Sequence, residues 1–159
     1  MLSYKHGYHA GNQADVLKHI CLIQAYKSLK KHHKSISYID THAGSGDYDF
    51  KSDYMSKNKE YENGISKLEN YKYENQSIKF YLKVLRNINN SKKMTFYPGS
   101  PSIMSHLSDS SDKLLFYELH NNEVKLLRRH LAKQINSKVY NMDGFEFFLQ
   151  KINPKEKTL

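Results

Sequence analysis

Cysteine occurs once in this chain, at Cys21, and arginine three times, at Arg86, Arg128 and Arg129. A single thiol excludes an intramolecular disulfide framework and suits a reducing cytosol. Cys21 lies in an apolar helical pattern and is expected to be buried as a small hydrophobe. No run of about eighteen apolar residues occurs, so no membrane span is expected. The opening MLSYKHGYHAG has no apolar segment of the kind a secretory signal carries. Together these absences point to the cytoplasm. Acids are also in deficit: 16 Asp and Glu stand against 25 Lys and Arg, a net charge of +9. That excess favours an anionic partner, nucleic acid first. A composition rich in lysine and asparagine produces the same excess, so charge alone does not decide.

What is present suits one domain of common size, since 159 residues can bury a real core. Residues 1–11 read as an irregular arm. From Asn12, Val16, Leu17, Ile20, Cys21, Ile23 and Leu29 recur at helical intervals. Asn12 or Asp15 could cap this helix, and Lys30-Lys31-His32-His33-Lys34 suits its C-terminal end. SISYI at 35–39, LLFYEL at 114–119 and KVYN at 138–141 read as three strands. Residues 47–95 are rich in Lys, Asn, Glu, Tyr and Ser and read as a helical insertion of two or three short helices. Pro98-Gly99-Ser100-Pro101 is a sharp turn opening a helix to about Leu107. Residues 122–133 and 145–152 are helical. Strands alternating with helices predict an α/β domain with a parallel sheet.

In such a sheet, ligands bind beyond the carboxyl ends of the strands. The three strands end there in Asp40-Thr41-His42-Ala43-Gly44, Glu118-Leu119-His120 and Asp143-Gly144. Glycines let backbone approach a ligand closely. An acid after the second strand can accept from ribose hydroxyls. Asp143 could accept from an adenine amino group while the Gly144 N–H meets a ring nitrogen. The set suits an adenosine-bearing cofactor. It is not a Walker loop, because no Gly-Lys-Ser/Thr follows, and Glu118 stands about seventy residues on rather than the roughly twenty of a dinucleotide fingerprint. The insertion accounts for that gap. The bland alternative is that Asp40, Glu118 and Asp143 cap helices or pair with lysines.

Five motifs carry a resemblance. MLSYKHGYHAGNQADVLKH at 1–19, YIDTHAGSGDY at 38–48, YPGSP at 97–101, ELH at 118–120 and DGF at 143–145 follow in order. They resemble the bacterial methyltransferases that modify N6 of an adenine in 23S ribosomal RNA, the RlmJ-like family. The resemblance implies a Rossmann-like methyltransferase with S-adenosyl-methionine as cofactor. It places His19, His42, Ser100, Glu118, Asp143 and Gly144 at that cofactor and Tyr4 at the RNA substrate. It divides the chain into 1–46 (arm, first helix, first strand and glycine turn), a helical insertion at 47–95, and a continuation of the Rossmann-like domain at 96–159.

The family continues with a fourth strand closing in Asp-Pro-Pro-Tyr, which these residues do not supply. The fold is therefore expected to be incomplete at the C-terminus, with one edge of the sheet bare and no catalytic residue in this chain. Nine histidines raise a metal site. Ligand spacings such as HExxH are missing, so no metal is expected. His19 is otherwise a satisfied core histidine. A non-catalytic nucleic-acid-binding module, linked to use of external DNA, is the rival function.

Overall fold

A computed structural model of the chain describes residues 5–70, 72, 74–91, 93–151 and 157–159, with the side chains of 148–151 set aside. In chain order the elements are α1 (Gln13–Lys30), β1 (Ser37–Asp40), β2 (Asp47–Asp49), α2 (Asp53–Asn58), α3 (Ile65–Asn70), α4 (Gln76–Asn89), β3 (Phe96–Pro98), α5 (Ser100–Leu107), β4 (Lys113–Tyr117), α6 (Asn121–His130), β5 (Ser137–Tyr140) and α7 (Gly144–Lys151). The chain divides into two compact units, Met1–Gln24 with Asp47–Pro98, and Ala25–Gly46 with Gly99–Leu159.

In the first unit, both capping candidates of α1 are used. Asn12 Oδ1 accepts from the Asp15 N–H at 3.0 Å, and Asp15 Oδ2 accepts from the Gly11 N–H at 3.1 Å. Two of the helix-entry donors are thereby satisfied. The stretch read as an insertion does carry short helices, but it opens and closes in a ribbon that the sequence did not announce. β2 and β3 pair antiparallel, with Tyr48 opposite Tyr97. α4 is amphipathic and buries Tyr81, Leu82, Val84 and Leu85. Asn75 caps its start by accepting from the Ser77 and Ile78 N–H groups, and Asn90 ends it at φ 48°. A methyl on Gly64 would sit 2.0 Å from the Gly11 carbonyl oxygen, so this crossing of backbones admits only glycine.

Cys21 is exposed, against the expectation of burial. The apolar residues of α1 run most of the way round the helix, so they cannot all face one core. Val16, Ile23 and Tyr26 are buried, while Leu17 stays 64% exposed four residues before Cys21. Residues four apart share a helical face, and this pair is on the outer one.

The second unit holds the parallel sheet, in the order β1-β4-β5. The register places Ser37 opposite Lys113, and Leu114 opposite Ser137. Each strand starts or ends within a residue or two of its sequence reading; Leu114–Tyr117 of β4 is a continuous apolar run buried on both faces, whereas β5 at the sheet edge is only partly buried. Leu114, Phe116 and Tyr117 are fully buried, with Ile103, Met104, Val124 and Leu127 around them. Beside β1 the sheet edge is not bare. Ser37 donates to Lys157 O and Ile39 to Leu159 O, both at 2.9 Å, so residues 157–159 run alongside β1 in parallel. At the other end of α1, Asp112, only 4% exposed, gathers Tyr26 Oη at 2.7 Å, Lys30 Nζ at 3.0 Å and the Ile36 N–H at 2.9 Å. No helix among the described residues is long and apolar enough to cross a membrane.

Candidate functional site

Parallel strands all end on one edge of their sheet, so β1, β4 and β5 deliver their last residues to a common rim. The AGSG turn follows β1, and both of its glycines take positive φ, 64° at Gly44 and 94° at Gly46. That conformation is costly for any residue with a Cβ. The turn is fixed to β4: the Ala43 N–H donates to Tyr117 O at 2.9 Å, and the Gly44 N–H to Glu118 Oε2 at 2.8 Å. The other oxygen of Glu118 accepts from the His120 N–H at 2.7 Å. One carboxylate thus pins two loops, and part of its four-fold accepting capacity stays in reserve.

The third strand tip meets the first. Gly144 lies against Thr41 so closely that an added Cβ would stand 2.5 Å from the Thr41 carbonyl oxygen. The rings of His42 and Phe145 meet edge to face at 5.0 Å. Asn141 Nδ2 donates to Glu118 O at 3.0 Å, closing the circuit between β4 and β5. Asp143 Oδ1 accepts from the Phe145 N–H at 2.8 Å, so this acid also caps α7. His42, Glu118 and Asp143 therefore share one rim.

Asp40 organises the same rim from beneath. Its Oδ2 accepts from Ser100 Oγ at 2.6 Å and Tyr38 Oη at 2.9 Å, and its Oδ1 from the His42 N–H at 3.1 Å. Burial, reinforced by the Asp40 charge, pushes the Tyr38 hydroxyl well above its ordinary pKa and keeps it a donor. Ser100 thus acts on Asp40. Tyr38 and Asp40 are two apart in a strand and share a face, which is the one sequence signal for this contact.

Two further features of the rim went unassigned in the sequence. Among the described residues, His120 Nδ1 and Tyr117 Oη are buried with no hydrogen-bond partner. Burial raises the Tyr117 hydroxyl to about 12, so it stays protonated, and its ring stacks on Tyr140 at 4.9 Å. Leu119, Met142 and Phe145 remain 45%, 40% and 60% exposed just beyond the strand ends. Apolar surface flanked by a few placed polar groups is the usual make-up of a small-molecule site.

The other unit holds His19. It is buried, and its Nδ1 pairs with Tyr97 Oη at 2.8 Å while the two rings stack at 5.5 Å. Burial lowers its pKa to about 4 against the pull of Asp15, so the ring is neutral. The Tyr97 hydroxyl, itself pushed up by burial, donates and Nδ1 accepts. Asp15 sits between His6 Nε2 at 2.7 Å and Lys18 Nζ at 2.9 Å. Burial alone would raise the Asp15 carboxyl, but these partners hold it well below the carboxylate range. His9 pairs with Glu60 at 2.8 Å. Among the described residues, no three His, Cys, Asp or Glu side chains are grouped to hold a metal ion.

The family model described as ribosomal RNA large subunit methyltransferase D, RlmJ, matches residues 33–159. The chain belongs to the RlmJ family. Ribosomal RNA large subunit methyltransferase J of Escherichia coli strain K12 is 38% identical over 154 residues, covering 97% of this chain and 55% of the relative. Its counterpart from Haemophilus influenzae is 38% identical over 158 residues, covering 99% and 56%. The crystal structure of a Legionella pneumophila protein superposes with a TM-score of 0.78 at 34% identity, covering 92% of this chain and 54% of that one. The chain thus spans about half the length of the curated RlmJ relatives it matches. Of the residues that the RlmJ resemblance assigns to the cofactor, His42, Ser100, Glu118, Asp143 and Gly144 lie in the unit of the parallel sheet, and His19 in the other. Tyr4 lies outside the described residues.

Proposed function

We propose that this chain forms the cofactor-holding part of an S-adenosyl-methionine-dependent enzyme that methylates N6 of an adenine in 23S ribosomal RNA in the cytoplasm. The observation that carries the reading is the Glu118 carboxylate clasping the Gly44 N–H at 2.8 Å and the His120 N–H at 2.7 Å. A glycine turn and a strand-end acid are locked together beyond the strand ends, and the acid's remaining lone pairs would accept from ribose hydroxyls. The residues present fit an adenosine. Gly144 packs against Thr41 with no room for a Cβ, which holds the β1 and β5 tips together, and the orphaned His120 Nδ1 and the apolar Leu119, Met142 and Phe145 lie on the same rim. Asp143 would accept a hydrogen bond from the adenine amino group, and its neighbour Gly144 would present an N–H to the ring.

When bound, S-adenosyl-methionine supplies an electrophilic methyl group on its sulfonium. The part of these residues is binding and orientation, which is where the rate of such a transfer chiefly arises. Asp40 fixes the start of the turn through the His42 N–H, and Ser100 and Tyr38 fix Asp40. The target adenine has to leave its stack to be reached. No residue of this chain is assigned to hold the flipped base. The net charge of +9 suits a polyanionic substrate.

Calorimetric titration with S-adenosyl-homocysteine, the cofactor's product, tests the reading. Uptake that disappears in Glu118→Ala and Asp143→Ala, both folded by circular dichroism, is expected. RNA binding with no uptake of cofactor by the wild-type chain would instead favour the nucleic-acid-binding module.

A further inference from the structure

The rim just described uses the carboxyl ends of the strands, and the opposite edge of the same sheet has a different chemistry. There the strands begin, with Lys113 paired to Ser37 and Lys157 O accepting from the Ser37 N–H at 2.9 Å. Two lysines therefore flank the first residue of β1, one on each neighbouring strand. The basic run that closes α1 arrives at the same place. An open cavity of about 530 Å³ is lined there by His32, His33, Lys34, Lys113 and Lys157 together with Ile36 and small hydroxyl side chains. Among the described residues its lining includes no carboxylate, and Asp109 and Asp112 are both engaged by Lys30, at 2.9 and 3.0 Å.

A polar hollow lined by three lysines and two histidines suits phosphate oxygens. Neutral ligands gain little from such a lining, whereas a polyanion gains from each counterion it releases. The size falls within the range of ligand cavities, about 300–1,000 Å³. Contacts of this kind position a nucleic acid without reading its sequence.

We propose that this cavity, formed by Lys34, Lys113, Lys157, His32 and His33 at the starting edge of the parallel sheet, binds RNA phosphodiester groups as a contact site separate from the strand-end rim. It rests on the preceding reading only for the choice of RNA as the polymer. Such a site would hold the RNA away from the chemistry while its target adenine is presented elsewhere.

The test measures binding of a fluorescent stem-loop RNA across a salt series, using the whole chain. The triple variant Lys34→Ala/Lys113→Ala/Lys157→Ala is expected to bind about tenfold or more weakly at low salt, with a salt slope flatter by about 2–3, at about 0.7–0.9 per lost phosphate contact. A matched variant that removes three charges of the same unit elsewhere, Lys125→Ala/Lys133→Ala/Lys138→Ala, is expected to stay within about threefold of wild type. Equal losses in the two variants overturn the site, because net charge then explains everything. The triple Lys→Arg variant keeps the charge and is expected to keep the binding; loss there also overturns it. A response to inorganic phosphate with unaltered RNA binding overturns RNA as the source of the phosphate. Uptake of S-adenosyl-homocysteine by the triple alanine variant is expected to be unchanged. Loss of cofactor uptake in the wild-type chain alone would sink the preceding reading and leave this one standing.

Discussion

Glu118→Gln is the substitution that probes the rim most directly, because it keeps the shape and changes only the chemistry. Glu118 accepts with both oxygens, one from the Gly44 N–H at 2.8 Å and the other from the His120 N–H at 2.7 Å. An amide has one oxygen and one NH₂ group, so one of these backbone donors must then face another donor. A hydrogen bond to a charged acceptor contributes about 1.5–3 kcal/mol. Glu118 is only half-buried, so water can replace part of that, and the low end applies. A loss of about 1.5–2 kcal/mol follows, which for a chain of this length lowers Tm by about 3–8 °C. Cofactor affinity should fall further, by at least about tenfold, since the ribose loses an acceptor and the turn loses its anchor. Thermal unfolding followed by circular dichroism gives the first number, and calorimetry with S-adenosyl-homocysteine the second. A Glu118→Gln protein with unchanged Tm and unchanged uptake would refute the reasoning, because the carboxylate would then be doing neither job.

Other outcomes are open to measurement. Gly144→Ala forces a Cβ to within 2.5 Å of the Thr41 carbonyl oxygen, so the β1 and β5 tips must part; cofactor uptake should be lost and stability should fall by about 1–3 kcal/mol, read from urea midpoints. His19 has a folded pKa of about 4 against an ordinary 6.5, so the unfolded chain binds its proton first. Its contribution is complete above pH 6.5 and is lost as pH falls from there to 4, about 3 kcal/mol in all. His19→Gln should flatten the dependence of the urea midpoint on pH within that window, and an unaltered slope would show that the ring titrates normally. Asp112→Ala leaves the buried Ile36 N–H without its acceptor, while the Tyr26 hydroxyl keeps Leu107 O and Lys30 keeps Asp109, and should cost about 1–3 kcal/mol by the same assay. The exposed Asp109, which shares Lys30, should tolerate alanine with little change in midpoint.

The parts of the fold that showed in the sequence are those with local causes. Leu114–Tyr117 is the buried part of a parallel strand and has to be apolar throughout, so its run is visible in isolation. Pro101 and Gly99 mark the start of α5 because a helix entry tolerates a missing N–H. The β2–β3 ribbon left no such trace. Asp47–Asp49 and Phe96–Pro98 are three residues each, start or end in Asp or Pro, and pair across almost fifty residues of intervening chain. Cys21 misled because helical periodicity shows that a stripe exists but not how much of it a core will cover. At the rim, Gly44, Glu118, Asp143 and Gly144 were picked out by their position after apolar runs. The service of Ser100 to Asp40 was not, since a 60-residue separation carries no local signature. The orphaned nitrogen of His120 is likewise a matter of packing, which spacing cannot express.

The three residues 157–159 have a consequence for the interior of the sheet. Without them, β1 would be an outermost strand whose alternate amides face solvent. With them, the protons of Ser37 and Ile39 are locked onto Lys157 and Leu159, and the Leu159 amide returns a bond to Ser37. The strand that leads into the glycine turn is thereby sealed along both sides. Slow deuterium uptake at Ser37 and Ile39 would report that seal, and clipping the last three residues should open those two amides while leaving the partners shared with β4 in place. Residues 157–159 thus govern the rigidity of the segment that aims Asp40 and the turn beyond it.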